Sequence, residues 1–97
     1  MIKLVPTIDC YDLNLIMKEI NCHYSRWFEL SKFEDVADTE YFIFELDEAL
    51  DDFDRSWMEY FEREGNEEMA HDCEDTIKIR EYLRGKVDNN IVLIYMY

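Results

Sequence analysis

The sequence feature that most constrains the fold of this chain is an uninterrupted apolar run at residues 91–97. A run of strand length without a polar residue is typical of a β-strand that is covered on both faces in the middle of a sheet. We therefore predict a central C-terminal strand. A single strand cannot be central by itself, so the rest of the chain has to supply partner strands and covering helices.

Residues 2–8 alternate loosely between apolar and polar side chains, which predicts a first strand. Pro6 cannot donate to a ladder, so that part of the strand lies at an edge of the sheet or beyond it. Asp9 is a good N-cap for a first amphipathic helix at about 10–24. The apolar positions with helical spacing are Leu13, Ile16, Met17, Ile20 and Tyr24.

Two interpretations of residues 41–46 remain open, because this aromatic segment fits a short strand or the start of a helix capped by Thr39. We favour the strand. Residues 47–64 then predict a second helix that ends at Gly65. We expect its apolar face to be core, with Phe53, Trp57 and Phe61 buried and with Tyr41 or Tyr60 as the best candidate for exposure. That face comprises Leu46, Ala49, Leu50, Phe53, Trp57, Tyr60 and Phe61.

Asn66 is the predicted N-cap of a third helix that runs to about Arg84 and stops at Gly85. Its inner side is predicted to carry Met69, Cys73, Thr76, Ile77 and Leu83. A polar turn at 88–90 leads to the C-terminal strand. With 97 residues there is room for one core. We predict a single α+β domain, 1–97, with two or three helices on a two- or three-stranded sheet.

The negative charge is concentrated in one window of the chain. Against 24 Asp and Glu residues stand 10 Lys and Arg residues, a net charge of −14. Residues 34–75 hold 18 of the acids and only two bases, Arg55 and Arg63. This balance excludes binding of nucleic acid or an anionic membrane through a basic surface, and it favours a basic protein partner.

The acids of the second helix are expected to cover its outer side, opposite the aromatic face. Eight acids in residues 47–64 amount to about one charge per 3.4 Å of axis, the phosphate spacing of one DNA strand. The alternative is that these acids form an ordinary solvated helix face. Solubility alone, however, does not require a segment that contains almost no basic residues. The predicted partner-binding residues are Asp47, Glu48, Asp51, Asp52, Asp54, Glu59, Glu62, Glu67, Glu68, Asp72 and Asp75.

Motifs for metal binding and catalysis fail on spacing. A calcium loop starting at Asp52 has Trp57 where glycine is required, and Glu68 with His71 forms only one copy of a di-iron motif. The three cysteines lack paired spacing, which suggests free thiols, and no glycine loop binds phosphate. We predict no cofactor, no metal and no enzymatic activity. The N-terminal residues lack the apolar run of a signal peptide, so a cytoplasmic location is expected.

In size and in the charge layout of residues 34–75, the chain resembles the small acidic inhibitors that phages and other mobile elements use against host defence. These anti-CRISPR and anti-restriction proteins mimic duplex DNA. The resemblance is to the class and has no motif match. It implies a stoichiometric inhibitor in the bacterial host cytoplasm that occupies the DNA-binding groove of a CRISPR effector or a restriction enzyme.

The order of strand, helix, acidic helix, helix and closing strand also resembles barstar-type immunity proteins, whose acidic helix plugs a nuclease active site. The middle of this chain is longer and more acidic than theirs. A DNA mimic needs anions spread over several helical turns, whereas an immunity protein needs one concentrated plug with an apolar anchor. The spread of 18 acids over residues 34–75 favours the mimic.

Overall fold

The computed structural model describes residues 5–24 and 41–95, which form three helices and a three-stranded sheet. The elements are β1 (Thr7–Asp9), α1 (Cys10–Glu19), β2 (Tyr41–Glu45), α2 (Ala49–Arg63), α3 (Glu67–Arg84) and β3 (Ile91–Tyr95). The predicted α+β class is confirmed, and the aromatic segment at 41–46 is a strand. Predictions for residues 1–4, 25–40, 96 and 97, including the four acids between 34 and 40, lie outside the described residues.

The strand order is β1-β3-β2, so the predicted central position of the C-terminal strand is confirmed. β1 pairs with β3 in parallel, with Ile8 beside Ile94. β2 pairs with β3 antiparallel, with Phe44 beside Val92. Mixed pairing of this kind gives β3 hydrogen-bonded neighbours on both sides and leaves β1 and β2 as the edges of the described sheet.

The two faces of β3 differ in burial. Val92 and Ile94 are fully buried on the helix side, whereas Leu93 on the other side is half-buried and lies beside the exposed Ile43. The apolar run predicts that both faces of β3 are covered, and within residues 5–24 and 41–95 helices cover one of them. The described helices that contribute to the core, α1 and α3, both lie there.

One cluster of apolar side chains forms the core between the sheet and these two helices. Its buried members are Leu13, Met17, Phe44, Leu46, Ile79, Leu83, Val92 and Ile94. Helix α2 contributes none of them and packs mainly along α3. The described part of the fold is thus a sheet, a layer of α1 and α3, and an outer helix.

Helix α1 begins as predicted and ends five residues early. The side chain of Asp9 accepts a hydrogen bond from the Asp12 N–H at 2.7 Å, which confirms the N-cap. The chain then turns at Asn21, whose φ is +58°, and the Cys22 N–H donates to the Met17 carbonyl at 2.9 Å. This is a Schellman closure, in which an asparagine takes the left-handed position that ends a helix. The prediction that the helix continues to Tyr24 is wrong for that reason.

Within the described residues the first strand runs from Thr7 to Asp9, one residue beyond the predicted end, and residues 5 and 6 of the predicted strand are not part of it. Pro6 lies before it and contributes its carbonyl, which accepts the Leu93 N–H at 3.0 Å. Since a proline has no N–H to donate, this position at the end of the ladder of an edge strand agrees with the expectation for Pro6.

The connection between α2 and α3 follows the predicted signals. Gly65 has φ +73°, the left-handed conformation that glycine adopts without strain, and it ends α2. The side chain of Asn66 then accepts the Met69 N–H and caps α3. On α3, Ile77 and Leu83 are buried as expected. Its other predicted inner residues, Met69, Cys73 and Thr76, are half-buried.

Candidate partner-binding surface

Helix α2 is held to the rest of the fold by charged side chains. Asp51 is 5% exposed and Arg80 of α3 is equally buried, and their side chains meet at 2.8 Å. The second carboxylate oxygen of Asp51 accepts from Arg84 at 2.9 Å, and Arg80 also pairs with Asp54 at 2.8 Å. We call these four residues the buried ion cluster. Because each buried guanidinium has a carboxylate partner, the cost of removing the charges from water is offset.

The buried ion cluster also reaches the backbone at the end of β2. The Arg80 Nε–H donates to the Glu45 carbonyl at 3.2 Å, and the Arg84 Nε–H donates to the Leu46 carbonyl at 3.0 Å. Each arginine therefore joins α3, α2 and the link that follows β2. The planar guanidinium, with several donors in fixed directions, suits this role better than an ammonium group would.

The ionisation of Asp51 reflects two opposed effects. Burial by itself raises the pKa of this carboxyl group. The hydrogen bonds from Arg80 and Arg84, together with their positive charges, outweigh burial and bring the pKa below its ordinary value. Asp51 is therefore a carboxylate at neutral pH, as an ion pair requires.

The orientation of α2 overturns the expectation for its aromatic residues. Phe53 and Trp57 are exposed and Phe61 is half-buried, so the prediction that all three are buried is wrong. Asp51 is the residue of α2 that is buried. Arg80 and Arg84 line the side of α3 that α2 covers, and burying them requires carboxylates. Turning Asp51 and Asp54 inward places the stripe that contains Phe53 and Trp57 outside.

Seven of the predicted partner-binding acids are exposed and lie on α2, just before it, or in the first turn of α3. Glu64 is exposed and belongs with them, although it is not among the predicted binding residues. We call this set the acidic surface. It consists of Asp47, Glu48, Asp52, Glu59, Glu62, Glu64, Glu67 and Glu68.

The expectation that the acids of α2 cover its outer side is wrong for Asp51, which is buried, and for Asp54, which is half-buried; the predicted partner-binding residues Asp72 and Asp75 of α3 are buried too. Asp75 is 0% exposed, and its carboxylate accepts the backbone N–H groups of His23 at 2.8 Å and Tyr24 at 3.0 Å. This carboxylate joins α3 to the segment that follows α1. Its role in the structure is therefore to satisfy backbone donors.

Three exposed aromatic side chains form a patch on the outer side of α2. Phe53 is 59% exposed, and Trp57 and Tyr60 are each 44% exposed. The ring of Trp57 meets those of Phe53 and Tyr60 edge to face, with centroids 6.3 and 5.6 Å apart. We call Phe53, Trp57 and Tyr60 the aromatic patch. Spacings of three and four residues bring these side chains together on one helix face.

Two histidines lie together beside α3. The ring of His23 stacks on that of His71 with centroids 3.8 Å apart, and His23 Nε2 lies 2.6 Å from a carboxylate oxygen of Glu74. This hydrogen bond is the main cause of a lowered pKa at Glu74. Within residues 5–24 and 41–95, no group of three or more His, Cys, Asp or Glu residues is arranged to hold a metal ion.

Cys22 and Cys73 are half-buried free thiols. Burial, with a contribution from the negative charge of Asp75, raises the pKa of Cys22 to about 12. Burial also raises the pKa of Cys73 to about 11, with smaller contributions from Asp54 and Asp72. Both side chains are therefore protonated at neutral pH. A protonated thiol is a poor nucleophile and a poor metal ligand.

The sequence contains a signal for the buried ion cluster that the prediction did not use. Arg80 and Arg84 are four residues apart, so they share one stripe of α3 next to the apolar Ile79 and Leu83. Two bases beside a core stripe require acidic partners from another element. The acids Asp51 and Asp54, three residues apart on the neighbouring helix, are suitably spaced to provide them.

The described residues contain no helix with the length and apolar character needed to cross a membrane. No protein-family model, curated protein or solved structure matches this chain.

Proposed function

We propose that this protein is a stoichiometric inhibitor that mimics the charge of DNA and occupies the basic nucleic-acid-binding groove of a host defence complex. The target is an anti-phage system of the bacterial cytoplasm, such as a CRISPR effector or a restriction enzyme. In this role the protein binds its target and catalyses no reaction.

The observation that carries the proposal is the exposure of the acidic surface. Its eight carboxylates occupy 22 consecutive residues, 47–68, that contain only Arg55 and Arg63 as bases. Arg55 lies 3.1 Å from Asp52 and 4.0 Å from Glu81, so its positive charge is paired with these two neighbouring carboxylates. The surface is therefore strongly negative, and it complements a groove lined with lysine and arginine.

The length of α2 sets the size of the groove that it can occupy. Fifteen residues at 1.5 Å each give an axis of about 22 Å. This is about two-thirds of a turn of B-DNA, which advances by roughly 34 Å per turn. The acidic surface thus replaces a short piece of duplex, and it fits a compact basic site better than a long channel.

The test is inhibition by charge-reversal variants that leave the buried ion cluster intact. Candidate targets recovered from a bacterial lysate at low salt are purified, and their cleavage or binding of DNA is titrated with the protein. We expect the inhibition to saturate at a fixed stoichiometry. Added DNA should relieve it by competing for the same site on the target. The double variant Asp52→Lys/Glu59→Lys should slow association about tenfold or more, because the carboxylates steer the encounter.

The matched control is Glu19→Lys/Asp88→Lys, which makes the same change in net charge at exposed positions outside the acidic surface. If the two double variants weaken inhibition equally, only the total charge matters and the proposed surface is wrong. If neither variant affects inhibition, and inhibition is insensitive to salt, charge mimicry itself is wrong.

A second candidate function is immunity against a cognate nuclease toxin. Two observations favour it: the acidic surface is short, and the aromatic patch lies beside it on α2. A plug for one active site needs concentrated charge and a central apolar anchor. Recovery of a single small nuclease that the protein inhibits one to one supports this function, whereas recovery of a multi-subunit DNA-binding complex supports mimicry.

A further inference from the structure

We propose that the aromatic patch is the anchor of the interface and that it receives arginine side chains of a basic partner protein. This inference rests on the proposed function and goes further by naming the side-chain chemistry of the partner. It applies to either target class.

The aromatic patch lies outside the charged contact between α2 and α3. The inward side of α2 carries the buried ion cluster, whereas the three patch residues are 44–59% exposed. Exposed aromatic side chains in contact with one another are unusual on a monomer surface and are enriched in the centres of protein interfaces. Three of them on one helix face therefore indicate an interface.

Charge complementarity selects the occupant of this surface. Asp52 and Glu59 are exposed and lie one helical turn before and after Ser56, and the exposed Glu64, at the end of α2, lies one turn after Tyr60. A second copy of a chain with net charge −14 would bring like charges to this interface, which is unfavourable. A positively charged surface with apolar character is favoured instead.

Among basic side chains, arginine fits the combination of rings and carboxylates best. Its planar guanidinium stacks on aromatic faces and donates to carboxylates in two parallel hydrogen bonds, which the ammonium group of lysine cannot do. Phe53 and Tyr60 each meet Trp57 edge to face, at interplanar angles of 70° and 86°, and Phe61 stacks on Trp57 with centroids 5.6 Å apart. The rings of Phe53 and Tyr60 are 59% and 44% exposed, and their exposed surface is open to a guanidinium.

The experiment compares two synthetic peptides of equal length and charge, one with arginines and the other with lysines at the same positions. Affinities for the purified protein are measured by isothermal titration calorimetry at several salt concentrations. We expect the arginine peptide to bind about tenfold more tightly. The Trp57→Ala/Tyr60→Ala variant should bind both peptides with the affinity that the wild type shows for the lysine peptide.

Tyr11→Ala is the control, because Tyr11 is a 67% exposed aromatic residue on α1, outside the patch. It should retain the arginine preference. Circular dichroism checks the folding of each variant, and Phe53→Ala replaces the double variant if that variant does not fold. Retention of the arginine preference in a folded patch variant, or an equal loss in Tyr11→Ala, would overturn the inference.

The state of association of the free protein is a further readout. Analytical ultracentrifugation should show no dimer that depends on Trp57; a dimer that Trp57→Ala dissociates would mean that a second copy covers the patch. The proposed function fails separately, if Asp52→Lys/Glu59→Lys binds both peptides as the wild type does. An arginine preference in that variant would then leave the aromatic patch supported and the acidic surface unsupported.

Discussion

The side chains of Asp51 and Arg80 meet at 2.8 Å in the interior, where each is about 5% exposed. Asp51 therefore has a structural role, although the charge pattern of the sequence predicts that it belongs to a binding surface. It also separates the acids of α2 into two groups. Asp51 and Asp54 hold the helix in place, whereas the acidic surface is available to a partner.

Removing the carboxylate of Asp51 is expected to destabilise the fold strongly. Asp51→Ala leaves Arg80 buried with one of its two carboxylate partners and leaves Arg84 without this acceptor. Breaking a buried ion pair from one side costs about 3–5 kcal/mol in the free energy of unfolding. Urea unfolding followed by circular dichroism measures the change. Glu59→Ala on the exposed side of α2 should change the free energy by less than about 0.5 kcal/mol. Similar changes in the free energy of unfolding for the two variants would contradict the stabilising role of the buried ion cluster.

Stability at acid pH should depend on Asp51. Its pKa is lower in the folded protein than in the unfolded chain, where an aspartate has a pKa of about 3.9. Its stabilising contribution is therefore complete above that value and is lost as pH falls through the folded-state pKa, since the unfolded chain then binds more protons. Urea unfolding at a series of pH values between about 2.5 and 6 measures this slope. Asp51→Asn should reduce the slope, and an unchanged slope would show that other carboxyl groups account for it.

Asp75 is expected to protect two backbone amides outside any helix. Its carboxylate accepts the N–H groups of His23 and Tyr24, so Asp75→Ala leaves both without this acceptor. Hydrogen bonds to a charged group contribute about 1.5–3 kcal/mol each, so the loss of both is expected to lower the free energy of unfolding by at least that amount. Native-state hydrogen exchange should show faster exchange at residues 23 and 24. Unchanged protection there would mean that Asp75 does not accept these two N–H groups in solution.

The outward orientation of α2 predicts a contrast between two large apolar residues. Phe53 is 59% exposed, and Phe53→Ala should cost less than about 1 kcal/mol. Leu13 is fully buried in the core, and Leu13→Ala should cost about 2–5 kcal/mol. Urea unfolding of both variants measures the difference. A large cost at Phe53 would mean that the aromatic face is turned inward, as the helical periodicity alone suggested.

The element order, the caps at Asp9 and Asn66 and the central strand could all be predicted from the sequence, because each depends on nearby residues or on an apolar run. The orientation of α2 could not. Periodicity identifies two stripes on that helix, and the stripe that faces inward depends on Arg80 and Arg84, about 30 residues away. An aromatic stripe at helical spacing is equally compatible with a core and with an interface.

The burial of Asp75 could not be predicted for a related reason. It depends on the turn at Asn21, which frees the N–H groups of residues 23 and 24 from a helix and directs them towards α3. A helix continuing to Tyr24 would have satisfied those donors internally. The prediction places the end of α1 five residues too late. It therefore also misses the burial of Asp75 on α3.

The position of β3 between β1 and β2 has a consequence for biosynthesis. In the described sheet the two outer strands do not pair with each other, and each needs the strand that is translated last of the three. While the ribosome is still adding residues 91–95, the nascent polypeptide carries its apolar α1 and α3 faces without a sheet to pack on. Folding can finish only after that step, so premature termination before residue 91 would release a product with no β-pairing to complete and a strong tendency to aggregate.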